Sequence, residues 1–179
     1  LHSHHYGSHS TPFTHSWRKI YGPFYVHLNS GETPERLWQD AKQRLIEQRK
    51  QWPYKWLKHE AYAVARHTVS GTIGRQAKHG GWVVLSDPKD SEIDWQQAGL
   101  DSYVYRAAIA SDGSFKVPAV RPGTYRLNAF VVGDAAELEQ TIVVQSDLAL
   151  GTLQWPQTAG TRIWRIGTPD RSGSEFRRG

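Results

Sequence analysis

Short apolar runs that alternate with polar residues recur across residues 66–155. The runs occupy residues 69–73, 82–85, 103–109, 115–117, 124–131 and 139–144. Between them lie turn signals such as Asp87-Pro88, Asp112-Gly113 and Pro122-Gly123, and Asp112-Gly113 suits a tight hairpin leading into Phe115. About seven short strands in roughly 90 residues, with no helical interruption, predict an antiparallel β-sandwich.

A different pattern precedes this region, because apolar residues at 33–52 recur at helical spacing. Thr33 can cap a helix, Pro34 suits its first position, and Pro53 stops it, so the pattern predicts a helix over residues 34–51. Its apolar residues share one face: Leu37, Trp38, Ala41, Leu45 and Ile46. We expect that face to be buried.

The two ends of the chain lack such periodicity. Residues 1–32 hold six of the nine histidines and one strand-like run at 24–28, which we expect to have lost its partner strands. Residues 160–179 are polar and basic, so they are a linker or the first strand of a further domain.

Composition narrows the protein class. With 38% hydrophobic residues and a mean hydropathy of −0.63, the chain matches neither a disordered protein nor one with a membrane-spanning helix. The lack of cysteine excludes disulfides, thiolate zinc sites and a cysteine nucleophile. Because the chain has no methionine and no signal peptide, we expect a processed chain or a fragment.

The net charge of +5 weakly favours an acidic partner, and a polyanionic sugar fits as well as a phosphate backbone. The basic residues are scattered apart from Arg177-Arg178, without the stripe or tract typical of nucleic-acid binders. A simply solvated surface is the alternative. We expect neither a nucleic acid nor a membrane as partner.

Three blocks together resemble the rhamnogalacturonan lyases of polysaccharide lyase family four. The first joins His4-His5-Tyr6-Gly7 to the segment from Trp17 to Phe24. The second runs from Asp112-Gly113-Ser114-Phe115 to Val120-Arg121-Pro122-Gly123-Thr124-Tyr125, and the third is Ile166-Gly167-Thr168-Pro169-Asp170-Arg171-Ser172. The middle block is shared by many transthyretin-like sandwiches and argues for a fold alone, whereas the other two are more specific.

The resemblance implies a three-domain enzyme of which this chain holds only a part. Residues 1–65 would be the end of the catalytic β-sandwich domain, including the helix at 34–51. Residues 66–155 would be a fibronectin type III-like β-sandwich, and residues 156–179 a linker and the start of a carbohydrate-binding-like third domain.

The resemblance also implies a reaction, the cleavage of the rhamnose–galacturonic acid bond of pectin by β-elimination. In the family a lysine and a histidine share the base and acid work. His5 is the match for the catalytic histidine, with His4 as the neighbouring alternative, and the lysine would lie upstream of this sequence. Lys19 belongs to the Arg18-Lys19-Ile20-Tyr21-Gly22-Pro23 stretch and does not fill that role, so we expect the isolated fragment to be inactive.

Aromatic and basic side chains supply further candidates. Tyr6 and Trp17 are candidates for substrate binding, although an aromatic beside a strand is more often a packing residue. We expect packing roles for three other tryptophans and turn or solvent-face positions for two arginines: Trp38, Trp52 and Trp56, and Arg121 and Arg126.

Other hypotheses remain open at this point. His2, His4, His5 and His9 could share zinc, but their spacing matches no standard motif, and we expect no metal site or cofactor in this chain. Calcium stays open for the full enzyme. The chain could instead be a non-catalytic carbohydrate-binding or domain-positioning module, or a free-standing transthyretin-like domain. The resemblance further implies rhamnogalacturonan I as the partner, a secreted protein, and a monomer at full length.

Overall fold

The structure is a computed structural model, which describes residues 18–88, 103–157 and 163–171. Helix α1 spans Pro34–Gln51, the range that the sequence predicts. The Thr33 side chain accepts a hydrogen bond from the Arg36 amide at 3.3 Å, which satisfies one of the free N–H groups of the first turn. Glu35 in the first turn and Arg49 and Lys50 in the last turn complement the helix dipole.

Seven strands follow the helix in the described residues, and they form two sheets. They are β1 (His67–Ile73), β2 (Gly81–Ser86), β3 (Tyr105–Ala108), β4 (Ser114–Val120), β5 (Gly123–Val131), β6 (Glu137–Val144) and β7 (Leu148–Leu153). One sheet has the order β4-β1-β7 and the other the order β3-β2-β5-β6. The mainly β, sandwich-like architecture is therefore confirmed.

All strand pairs are antiparallel except β1 with β7, which run parallel. The Asp147 carboxylate accepts a hydrogen bond from the Thr68 amide at 2.8 Å, which ties the residue before β7 to the start of β1. Val69 then pairs with Leu148 in the parallel register. This contact aligns β7 along the edge of the smaller sheet.

The core lies between the two sheets and consists of the inward-facing residues of their strands. Its fully buried members include Val69, Ile73, Val83, Leu85, Val117, Val120, Leu127 and Val144. Burying each such side chain contributes about 1.5–3 kcal/mol, so this layer supplies the main driving force for folding.

Outside the sandwich, the prediction that the apolar face of α1 is buried is wrong for the described part of the chain. No residue of α1 is buried, and Trp38 is 62% exposed. Trp52 and Trp56 are exposed as well, whereas Tyr54 and Tyr62 are buried in their place. An amphipathic helix needs a second apolar surface to cover it, and the described residues do not provide one.

The strand-like run at 24–28 also differs from its prediction, because it forms no strand in the described residues. Alternation alone does not make a strand, since its backbone groups need a neighbouring strand to pair with. Instead the run lies against α1. The His27 Nε2 is 2.6 Å from the Asp40 Oδ2, and Asn29 donates to both Asp40 and the Leu37 carbonyl.

Candidate functional site

The residues that the sequence marks for catalysis and substrate binding lie outside the described residues. These are His5, Tyr6 and Trp17, together with the alternative histidines His2, His4 and His9. Their roles stay predictions. The described residues offer two other features, an arginine–tyrosine cluster and a basic cleft.

The arginine–tyrosine cluster consists of Arg66, Tyr103, Tyr105, Arg121 and Tyr125. The Arg121 guanidinium lies 3.7 Å from the centre of the Tyr103 ring, and its Nη1 donates to the Ala61 carbonyl at 3.0 Å. Lys19 lies 5.1 Å from the centre of the same ring. Cations close to a ring face are attracted by its quadrupole, so these contacts fasten residues 19 and 61 to the sandwich.

Tyr125 anchors the cluster in the sandwich. Its hydroxyl donates to the Arg121 carbonyl at 3.0 Å, and the Tyr105 ring meets it edge-on at 5.7 Å between centroids. A tyrosine near the start of a strand that bonds back to the preceding turn is the tyrosine corner of immunoglobulin-like sandwiches. Tyr125 therefore fixes the β4–β5 turn that carries Arg121.

Arg66 extends the cluster toward the helix. Its guanidinium lies 5.2 Å from the Trp52 ring centre and donates to the Ala63 and Ala65 carbonyls. Burial lowers the pKa of Arg66, and the nearby Arg121 lowers it further. The segment between helix and sandwich is thus held by two arginines, and of the tryptophans expected to pack there Trp52 takes part as the ring that Arg66 contacts.

Of the turn or solvent-face positions expected for Arg121 and Arg126, Arg121 does lie in the β4–β5 turn, whereas the position expected for Arg126 is wrong. Arg121 bonds to both backbone and ring, as described above, and Arg126 is only 8% exposed. Arg126 lies on β5, which has β2 on one side and β6 on the other. Residues of such a central strand are covered on both faces here, so alternation does not place them in water.

The basic cleft lies at the other end of the sandwich and has a volume of about 710 Å³. Arg75, Lys78 and His79 from the β1–β2 loop line it, together with Gly133 after β5 and with Arg165 and Thr168 of the last described segment. Sequence reasoning missed this site, because Arg165 is far from the loop along the chain. The run Arg75-Gln76-Ala77-Lys78-His79 is the local signal that could have drawn attention to it.

Arg75 is held in place at the edge of the cleft. Its Nη1 lies 2.8 Å from the Asp134 Oδ2, and the Trp155 indole donates to the same oxygen at 3.0 Å. The Asp134 Oδ1 accepts from the Ala136 amide. The Asp134 side chain is 7% exposed while that of Arg75 is 48% exposed, so the carboxylate fixes the arginine from behind.

The described residues lack two kinds of feature. None of their His, Asp and Glu side chains form a group of three or more that could hold a metal ion. No helix among them combines the length and apolar character needed to cross a membrane.

The sequence is similar to a known protein family and to several known enzymes. Residues 74–149, which cover most of the sandwich, match the family model described as polysaccharide lyase family 4, domain II. A rhamnogalacturonate lyase from Dickeya dadantii is 34% identical, and the alignment covers 98% of this chain and 30% of that enzyme.

Fungal proteins give the same result. A probable rhamnogalacturonate lyase C from Emericella nidulans is 30% identical, with 98% of this chain and 18% of that protein covered. A probable rhamnogalacturonate lyase B from Aspergillus niger is 30% identical, with 99% and 27% covered. The chain therefore spans less than a third of the length of each of these relatives.

Proposed function

This chain belongs with the rhamnogalacturonate lyases of polysaccharide lyase family 4, and we propose that it serves as part of such an enzyme. In this proposal the enzyme cleaves the rhamnose–galacturonic acid backbone of pectin by β-elimination. The similarity along 98% of the chain to a rhamnogalacturonate lyase is the observation that carries the proposal. It includes the residues on both sides of the sandwich as well as the sandwich itself.

The reaction sets the requirements for the site. The proton on C5 of the galacturonate is a weak acid, although it lies next to a carboxylate. A base must remove it while cations stabilise the developing enolate-like charge. The bond from C4 to its oxygen then breaks, and a proton delivered to that oxygen helps it to leave. We assign His5 to one of these two proton transfers. The other falls to the lysine that the family resemblance implies, which we place in a part of the enzyme outside these 179 residues.

The proposal gives the sandwich a positioning role. The match to domain II lies within residues 74–149, whereas His5 lies well before them. Arg121 attaches the segment between α1 and β1 to the sandwich through the Ala61 carbonyl, and Arg66 ties the two ends of that segment together through the Trp52 ring. A fixed connection of this kind supports a domain-positioning function for the isolated chain, which we propose to be inactive by itself.

The site of action follows from the substrate. A pectin backbone is a polymer that cannot cross a membrane intact, so we propose that the enzyme works outside the cell as a secreted protein. That the complete enzyme binds calcium is a proposal that rests on the family resemblance alone. None of the steps above requires calcium.

The test is a pair of histidine variants in the full-length enzyme. His5→Ala should abolish most formation of the unsaturated uronate product, which is followed by its ultraviolet absorbance, while thermal stability stays nearly unchanged. His4→Ala is the neighbouring control and should retain most activity. Near-normal activity of His5→Ala would remove this residue from the site, and the opposite pattern would assign the role to His4.

A further inference from the structure

We propose that the basic cleft binds the carboxylate groups of an acidic oligosaccharide, a ligand class that rests on the function proposed above. The cleft brings together Arg75, Lys78 and Arg165, three cations from two separate parts of the chain. The carboxylate of Asp134 is the anion that bonds to Arg75 from behind. An excess of positive charge therefore faces the open side.

Arg75 is prepared to receive a carboxylate. A guanidinium has five N–H donors in a fixed planar fork, and the bond to Asp134 uses only part of them. Because Asp134 is itself held by the Trp155 indole and the Ala136 amide, the orientation of Arg75 is set before any ligand arrives. A pre-oriented fork of this kind suits the two oxygens of a carboxylate.

Lys78 and Arg165 supply the remaining charge. In the part of the chain that the structure describes, neither forms an ion pair with a carboxylate. Both residues line the same cleft, so an anion bound there is attracted by both cations. Such an arrangement is stabilised by ligand binding.

The walls of the cleft are joined by backbone hydrogen bonds. The Val132 amide donates to the Gly80 carbonyl at 3.0 Å, which links the end of β5 to the β1–β2 loop. The Gly133 amide donates to the Pro169 carbonyl at 2.7 Å, which links the residues after β5 to the last described segment. Arg171 also forms an ion pair with Glu137. The cleft therefore exists without a ligand, and little ordering cost opposes binding.

The dimensions suit a short piece of polysaccharide. A volume of about 710 Å³ falls within the range of roughly 300–1,000 Å³ common for small-ligand sites. A neutral sugar could accept hydrogen bonds from the three cations but would gain no ionic attraction, whereas each galacturonate unit carries one carboxylate. The chemistry thus favours an acidic chain over a neutral one.

The experiment measures binding of a rhamnogalacturonan I oligosaccharide to the full 179-residue chain by titration calorimetry. The test variant is Lys78→Ala/Arg165→Ala. The matched control is Lys116→Ala/Arg49→Ala, which removes the same charges from exposed positions on β4 and α1. A neutral galactan oligosaccharide serves as the second probe.

We expect the test variant to bind at least about tenfold more weakly than the native chain, because it loses two of the three cations that attract the carboxylate. The control should remain within about twofold, and the neutral probe should not bind. Equal weakening in both double variants, unchanged binding in the test variant, or no binding by the native chain would each overturn the proposal. If the double variant unfolds, Arg165→Ala alone is used, since Arg165 lies outside both sheets.

This outcome is separable from the function proposed above. A normal His5 effect with no binding at the cleft overturns only the cleft. Binding at the cleft without any His5 effect overturns only the catalytic assignment.

Discussion

The guanidinium of Arg121 lies 3.7 Å from the centre of the Tyr103 ring, and this contact joins the β4–β5 turn to the chain that precedes β3. The same guanidinium donates to the Ala61 carbonyl, so one side chain connects three parts of the molecule. Its removal leaves the Ala61 carbonyl with only the longer hydrogen bond from the Tyr103 hydroxyl at 3.5 Å, and leaves the Tyr103 ring with only the more distant Lys19.

We therefore expect Arg121→Ala to lower the free energy of unfolding by about 1–3 kcal/mol. The measurement is urea denaturation of the 179-residue chain followed by tryptophan fluorescence. Lys116→Ala is the control, since Lys116 is exposed on β4. Equal stability of the two variants would show that Arg121 does not hold this junction.

Because of Tyr125, we expect the free energy of unfolding to fall at alkaline pH. Burial raises the pKa of its phenol well above the ordinary value of 10.0, and the neighbouring Tyr105 raises it further. The unfolded chain then releases this proton at a lower pH than the folded chain does. The stability that Tyr125 contributes is complete below about pH 10 and falls as pH rises from there toward the folded pKa.

Tyr125→Phe removes this titration and also the hydrogen bond to Arg121, which is worth about 1 kcal/mol. We expect the variant to be less stable at neutral pH, with a shallower decline above about pH 10. Denaturant unfolding at a series of pH values tests this. Tyr25→Phe, at a residue that is 50% exposed, should keep the native slope. An unchanged slope in Tyr125→Phe would contradict the account.

Two glycines have nearly the same backbone φ angle, but we expect their substitution by alanine to cost different amounts of folding stability. Gly113 has φ +91° and Gly80 has φ +89°. A Cβ at Gly113 would lie 2.5 Å from the Arg75 carbonyl oxygen and 2.8 Å from that of Ile73, whereas one at Gly80 would meet nothing within 4 Å.

Gly80→Ala should therefore cost only the backbone strain, about 1–2 kcal/mol. Gly113→Ala should cost clearly more, because backbone atoms cannot move aside as a flexible side chain can. Melting temperatures measured side by side compare the two. Equal losses would mean that the β3–β4 connection does not pack against residues 73–75.

The turn at Gly113 shows which parts of the fold can be predicted from the sequence. Asp112-Gly113 predicts a hairpin, and the turn exists: the Ala110 amide donates to the Ser114 carbonyl, and Ile109 and Phe115 form an isolated bridge across it. Strands β3 and β4 then enter different sheets. Local turn residues specify a reversal of direction, whereas the assignment of a strand to a sheet depends on distant partners such as β1 and β2.

For the helix, the sequence predicts where α1 begins but not which of its residues are buried. Thr33 and Pro34 specify where α1 begins, because capping is local chemistry. The apolar pattern predicts a buried face, but burial depends on a covering surface, and Trp38, Leu45 and Ile46 are exposed in the described residues. The basic run at residues 75–79 is visible in the sequence, but the cleft is not, since Lys78 and Arg165 line it together only after the sandwich has formed.

The central claim is that this chain contributes to β-elimination only as part of a rhamnogalacturonate lyase. Its most direct test incubates the 179-residue chain and a full-length enzyme that contains it, separately, with rhamnogalacturonan I, and follows the ultraviolet absorbance of the unsaturated uronate. We expect the full-length enzyme to form this product and the chain alone to form none. Product formed by the chain alone, or none formed by the full-length enzyme, would contradict the claim.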